Sequence, residues 1–390
     1  MSWNKVPIKT ICKGIYDGPH ATPPESSSGA VFLGIPNFIN GQLDLSNIRY
    51  ISEQDLPKWT KRVTPQPNDI VFSYEATLNL YAIIPKGFWG CLGRRMALIR
   101  VDERKADYKF LYYYFYSTAW RSVIQEHTVT GATVDRIPLV SFPDFLVELP
   151  DLPTQRRIAS ILSAYDDLIE NNRRQIKLLE EAAQRLYREW FVELRFPGHE
   201  GVKVVDGVPE GWKKQKLVDI ADVQYGFAFD GKCFNNQRSG TPIIRIRNIP
   251  DGTTSDYTTE SADSRYVVHN GEIVVGMDGE FHINTWNGED AYLVQRTCCI
   301  RPTDKALNGW LLYAIYEPIK FYEKTVVGST VAHLGKKHVD TIELLTSPSN
   351  LYKPFVALYK KRQVLLNQNR KLSKARDHLL PKLMSREMEV

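Results

Sequence analysis

Cysteine is scarce. Cys12, Cys91, Cys233, Cys298 and Cys299 are odd in number and show no paired spacing, which argues against a disulfide scaffold or a zinc site. The eight histidines are scattered, with no metal-spaced pair among them. No apolar run approaches the roughly 20 residues needed to span a bilayer. The longest, FLYYYFYSTAW from Phe110, carries Tyr or Trp at five positions. The opening MSWNKVPIKTICKG has neither the apolar core nor the small-residue cleavage site of a secretory signal, so a cytoplasmic location away from any membrane is expected.

Signatures of catalysis are missing too. Methyl transfer to an amino group needs Asn-Pro-Pro followed by Tyr or Phe, and the sole Pro-Pro, Pro23 and Pro24, follows Thr22. No glycine-rich loop ends in Lys-Ser or Lys-Thr to cradle a phosphate. A metal-dependent nuclease needs two acids and then a lysine to hold magnesium and activate water. PDFLVELP at Pro143 supplies Asp144 and Glu148, but Pro150 stands where the lysine should be. A chain without activity of its own is expected.

What is present is length and repetition. At 390 residues, 43% hydrophobic and 24% charged, the chain is globular and too long for one core. LPTQRRIASILSAYDDLIENNRRQIKLLEEAAQRLYREWF, from Leu152, places Ile158, Leu162, Tyr165, Ile169, Ile176, Leu179, Ala183, Leu186 and Trp190 at alternating steps of three and four, with one gap at Asn172. That is a coiled-coil seam, and about 40 residues of it make a rod of roughly 60 Å. Pro153 and Thr154 suit its start, and FPGHEG from Phe196 ends it. The same alternation returns at Phe355, Leu358, Arg362, Leu365, Asn369, Leu372, Arg376, Leu379 and Leu383. Neither helix has enough apolar surface to stand alone, so the two are expected to pack together, antiparallel. Asn171 and Asn172 in one seam and Asn367 and Asn369 in the other either fix register or simply face water.

The segments before the two helices repeat as well. WNKVPIKTI matches WKKQKLVDI, NDIVFSYEA matches GEIVVGMDG, ALIRV matches CCIRP, FLYYYFYS matches WLLYAIYE, and TGATVDRI matches VGSTVAHL, all in one order. The chain therefore reads as a tandem duplication. Its expected divisions are a first module over 1–152, a long helix over 153–196, a second module over 197–348 and a second long helix over 349–390. Within the modules AVFLGI, DIVFSY, YAIIPK, PIIRIRNI, GEIVVGM and TIELL read as strands. FLYYYFYSTAWRSVIQEH and GWLLYAIYEPIKFYEK read as one helix each. The fold class is α+β, two similar mixed modules joined by two long helices with approximate two-fold symmetry.

That geometry is the one dimeric DNA readers use, with half-sites about 34 Å apart. The polar loops are where the modules diverge, and loops of Arg, Lys, Asn, Gln and Ser can read base edges. In the second module Lys232, Asn235, Asn236, Gln237, Arg238, Arg245, Arg247 and Asn248 lie close in sequence, followed by Lys336, Lys337 and His338. In the first, Lys61, Arg62, Arg94, Arg95 and Arg136 are the counterparts. Any single one of these also reads as an ordinary surface ion pair or solvated loop. From Asn350 to Arg386, ten Lys or Arg face one acid, Asp377, which suits phosphates or an acidic partner and equally suits a solvated helix face.

LPxQRRIASIL, DDLIENNRRQI and LEExAQxLYREWF resemble the central helical region of the specificity subunits of Type I restriction-modification enzymes. PIIRIRNI, GEIVVGMDGEF, VQRTCCI, GSTVAHL and the closing LLPKLMS resemble the second half of that family, while FSYEATLNLYAIIP departs from its more glycine-rich version. The resemblance implies a non-catalytic protein that reads a split double-stranded DNA target through two recognition domains. It also implies two docked copies of a DNA adenine methyltransferase subunit and recruitment of a motor-nuclease subunit. S-adenosylmethionine, ATP and magnesium would then be bound by those partners and not by this chain. A coiled-coil scaffold whose modules bind protein or carbohydrate is the other reading.

Overall fold

The computed structural model describes residues 3–131, 134–325 and 332–390. The TGATVDRI and VGSTVAHL match falls partly on 132–133 and 326–331, outside the described residues. In the first module the valine- and isoleucine-rich runs form a four-stranded antiparallel sheet in the order Cys12–Asp17, Met96–Val101, Ile70–Ser73, Tyr81–Ile83. The second module builds the same sheet from Ala221–Tyr225, Thr297–Pro302, Ile273–Gly276 and Ile283–Thr285. Register agrees as well as order: Ile99 lies opposite Ile70 and Ile15, and Ile300 opposite Ile273 and Val223.

These strands lack polar alternation because both faces of each sheet are covered. Ile70, Phe72, Ala97 and Ile99 pack toward the helices, whereas Val71, Ala82 and Leu98 pack with Leu33 and Leu92 of a smaller sheet. The second module repeats this, with Ile273, Val275 and Ile300 toward its helices and Val274 and Cys299 against Ile244 and Leu293. The smaller sheet holds Arg49–Ile51, Ala30–Leu33 and Gly90–Leu92 in one module; in the other it grows to five strands around Thr241–Ile244 and Ala291–Leu293. PIIRIRNI is a strand only as far as Ile244 and then turns through a 3-10 segment, Ile246–Asn248.

The single helix expected in each module is two. Tyr108–Tyr114 stops and Thr118–His127 starts afresh, because the Ser117 side chain accepts the Trp120 N–H and caps a new N-terminus. In the second module Trp310–Ala314 gives way to Tyr316–Thr325, which places Pro318 in a first turn, where its missing N–H is harmless.

A partly buried fork anchors each sheet. Arg100 donates to both oxygens of Asp69 at 2.9 and 2.8 Å and to the Thr64 carbonyl at 2.9 Å. Arg301 repeats this on Glu272 at 2.7 and 2.9 Å and on the Val267 carbonyl at 2.8 Å.

The central helix runs Leu152–Tyr187 and ends in a π turn, Arg188–Val192; the C-terminal helix runs Lys353–Met384. None of the positions in the expected three-and-four alternation is exposed, whereas Asn171, also expected in the seam, is. Asn172, at the gap in the apolar pattern, is itself buried. No helix among the described residues is long and apolar enough to cross a membrane.

Contacts divide the chain into two compact units, one running up to Leu168 and including Leu372–Val390, the other Ile169–Lys371. Expected divisions at 152, 196 and 348 follow segment type, whereas compactness gives each unit one module and a share of both long helices. In the first unit Asp166 of the central helix accepts from Arg376 and from the Tyr113 hydroxyl, each at 2.5 Å. Burial, and then that carboxylate, push the Tyr113 phenol well above its usual range. In the second unit buried Arg362 donates to Glu180 at 2.6 Å, to Thr285 at 2.6 Å and to Asn284 at 3.3 Å. Charged seam positions thus find partners across the helix pair, as a buried charge requires. Within this unit Asn172 faces Asn369 and Glu180 faces Arg362, so the two helices run antiparallel.

Candidate nucleic-acid interface

In the second module the loop between Phe234–Asn235 and Thr241–Ile244 presents side chains from a fixed backbone. Asn235 Oδ1 accepts the N–H groups of Gln237 and Ser239 at 3.2 and 3.1 Å, and its Nδ2 donates to the Ser239 carbonyl at 3.0 Å. Gly240 closes the loop at φ 87°, where a Cβ would meet the Thr258 carbonyl at 2.1 Å. With Asn235 and Gly240 holding the turn, Asn236, Gln237 and Arg238 are left exposed. Lys232 is exposed on a neighbouring turn capped by Asp230, and the Arg245 guanidinium lies 5.4 Å from the Phe234 ring centre.

Arg247 and Asn248 are committed differently. Arg247 forks onto Asp256 at 3.1 and 2.6 Å, and Asn248 Nδ2 donates to the same carboxylate at 3.1 Å. Burial alone would raise the Asp256 pKa, but the Arg247 and Asn248 hydrogen bonds prevail and hold it below the usual carboxylate range. Asn248 is buried, and its Oδ1 accepts the Arg245 N–H at 2.8 Å. Asn37 does the same in the first module, accepting the Gly34 N–H at 2.8 Å. Asn248 is thus placed inside the turn that carries Arg245 and offers little to an outside ligand. The shared Ile-x-Asn of GIPN and RIRN was a legible sixth match between the modules.

In the first module Arg62 pairs with Asp17, which His20 also approaches at 3.0 Å. The Tyr74 hydroxyl donates to the Arg94 carbonyl at 2.8 Å; burial first, then the carboxylates of Asp17 and Glu75, push that phenol up to about 12. Arg95 Nε stands 3.5 Å from Glu75, and the backbone at Glu75 bridges that at Arg136. Arg62 and Arg95 therefore bring their charges to Tyr74 and Glu75, Arg94 and Arg136 join them through the backbone, and Lys61 is exposed beside Arg62.

The equivalent place in the second module holds residues that sequence reasoning missed. Asp278 bridges His333 as Glu75 bridges Arg136. The His333 imidazole lies 2.5 Å from Asp278, and Arg296 reaches the same carboxylate at 3.4 Å. Aligning VQRTCCI with the segment around Arg95, and AHL with DRI, would have found Arg296 and His333. Of the expected basic group nearby, Lys336 pairs with Asp340 at 2.8 Å and Lys337 is exposed. His338 stacks on Tyr322 and accepts the Gly335 N–H at 3.0 Å. Burial, then Lys337 and His333, lower its pKa and so disfavour its charged form.

Asn172 Nδ2 donates to Asn369 Oδ1 at 2.9 Å, and Asn369 Nδ2 donates to the Ile169 carbonyl at 3.3 Å. Asn367 donates to Asn270 of the second module at 3.1 Å, whereas Asn171 is exposed. In the basic run Arg362, Arg370, Arg376 and Arg386 each make a polar contact within the protein, and Lys353, Lys360, Lys361 and Lys371 are exposed.

Two modules with one sheet design and unlike polar loops define a duplicated recognition protein. The family model for the Type I restriction modification DNA specificity domain matches residues 3–181 and 209–349, and the chain belongs to that family. The specificity subunit of the Type I restriction enzyme MjaIX from Methanocaldococcus jannaschii is 24% identical over 374 residues, covering 89% of this chain and 85% of that one. The EcoBI specificity subunit from Escherichia coli is 31% identical over 180 residues, 46% of this chain and 37% of that one. The crystal structure of a Type-I restriction-modification system S subunit from M. genitalium shares the fold with a TM-score of 0.58 at 15% identity, covering 98% of this chain and 96% of that one. The chain is a DNA sequence-specificity subunit without catalytic activity of its own, and it works with DNA and a methyltransferase subunit.

Proposed function

We propose that the modules, as recognition domains 1–152 and 197–348, read the two halves of a split duplex target, and that helices 153–196 and 349–390 set their interval. The observation that carries this reading is the repeated sheet, identical in strand order and in the register of its central pair, bearing loops of unlike sequence. A duplicated scaffold with diverged loops reads two different sequences from two similar poses. Lys232, Asn236, Gln237, Arg238 and Arg245 are the base-reading candidates of the second module. Arg247 and Asn248 support the turn they stand on, and Lys336, Lys337 and His338 lie near His333. Lys61, Arg62, Arg94, Arg95 and Arg136 serve the first module.

The helices dock two copies of a DNA adenine methyltransferase subunit and help recruit a motor-nuclease subunit. S-adenosylmethionine, ATP and magnesium belong to those partners. The complex acts where cellular DNA is, in the cytoplasm. Asn172 and Asn369 set the helical register, with Asn171 and Asn367 beside them.

The test is duplex binding by the chain reconstituted with its methyltransferase partner. Affinity should fall steeply with salt, log K losing about 0.9 per decade for each phosphate contacted. Indifference to duplex at low salt would end the reading and revive the scaffold alternative.

A further inference from the structure

Each module carries an acid at an equivalent place: Glu75 pairs with Arg95 and bridges the backbone of Arg136, and Asp278 pairs with Arg296 and His333 and bridges the backbone of His333. Equivalence rests on the backbone as well as the side chains. Ala76 N–H donates to the Asp135 carbonyl and Ile137 N–H to that of Tyr74; Gly279 donates to Ala332 and Leu334 to Met277. From this we infer that Arg95 and Arg296 grip the phosphate backbone of the duplex, with Glu75 and Asp278 as positioning residues and Arg136 and His333 flanking them.

The geometry separates these arginines from the structural ones. Arg100 and Arg301 each make three hydrogen bonds, two of them forked at 2.7–2.9 Å onto a carboxylate, with only 21% and 25% of the side chain exposed. Arg296 reaches Asp278 only at 3.4 Å and the His333 Nδ1 at 3.2 Å, with 56% of its side chain exposed, and Arg95 reaches Glu75 only at 3.5 Å, with 34% exposed. A guanidinium has five donors, so most of those of Arg296 remain available to a ligand. Arg296 also sits at φ 68°, a conformation that an L residue holds at a cost and that clusters at binding sites.

What the ligand is follows from the duplication. Unlike loops suit unlike bases, whereas one arrangement repeated in both modules suits what both half-sites share. That common part is the phosphodiester backbone, which a loosely held guanidinium fits. This inference rests on the DNA-reading proposal above.

The experiment uses the full chain with its methyltransferase partner and a duplex carrying both half-sites. Arg296→Gln should reduce the slope of log K against log salt by about 0.9, and should weaken binding by the same factor on a duplex with one half-site scrambled. Arg95→Gln should do likewise, and Arg296→Lys should keep the wild-type slope. An unchanged slope in both glutamine variants overturns the inference. So does a loss confined to the correct sequence, which marks a base contact. A lysine variant that also loses slope marks misfolding at that site, and Arg95→Gln alone then decides. Failure of the wild-type complex to bind duplex would instead overturn the DNA-reading proposal itself.

Discussion

Ala76 and Gly279 occupy the same turn, at φ 70° and 69°, and only one of them is suited to it. A left-handed conformation costs an L residue roughly 1–2 kcal/mol relative to glycine. No described residue lies within 4 Å of a Cβ built at Gly279, so the difference there is one of backbone. Ala76→Gly should therefore raise the unfolding midpoint of the first unit by about 1 kcal/mol equivalent, and Gly279→Ala should lower that of the second by a similar amount. Urea unfolding followed by hydrogen exchange in each module measures both, and equal midpoints in variant and parent would refute the strain. This position was half legible in the sequence: the loss of glycine in FSYEAT is visible, but the backbone angle is not. Asn248 shows the opposite limit. Its residue type and neighbours suggested a base contact, whereas the structure turns it inward to hold Arg245, and no composition argument distinguishes the two orientations.

At the scale of elements, periodicity made the long helices readable because a seam must repeat every three or four residues to stay buried. Arg362 and Arg376 were visible as charged seam positions. Their partners Glu180 and Asp166 were not, since an acid beside a seam looks the same whether it faces water or a buried guanidinium. The breaks at Ser117 and before Pro318 were missed because the apolar content continues across them and only the cap chemistry marks the stop. If the helix pair sets the interval between modules, four residues inserted into each helix, between Asn172 and Glu180 and between Arg362 and Asn369, should lengthen it by about 6 Å. The unread gap in the target should widen by one to two base pairs. Methylation of a library of spacer lengths measures it, and an unchanged preferred spacer would remove the ruler role from the helices.

For the whole molecule the duplication was the most legible feature, because five matched segments in one order leave little else to explain them. The sheets then showed why the matches fall where they do. Matched strands are covered on both faces and tolerate little change, while the loops 232–240 and their first-module counterparts are exposed and free to diverge. Base identity stayed illegible, since the same exposed Asn, Gln or Arg reads different edges in different poses. Mapping methylated adenines in a host carrying the chain and its methyltransferase, before and after residues 1–152 are exchanged for those of a relative, tests the division of labour most directly. The account predicts a target split by an unread gap, with one half replaced by the exchange and the other kept. An unbroken target, or a change in both halves at once, would contradict it.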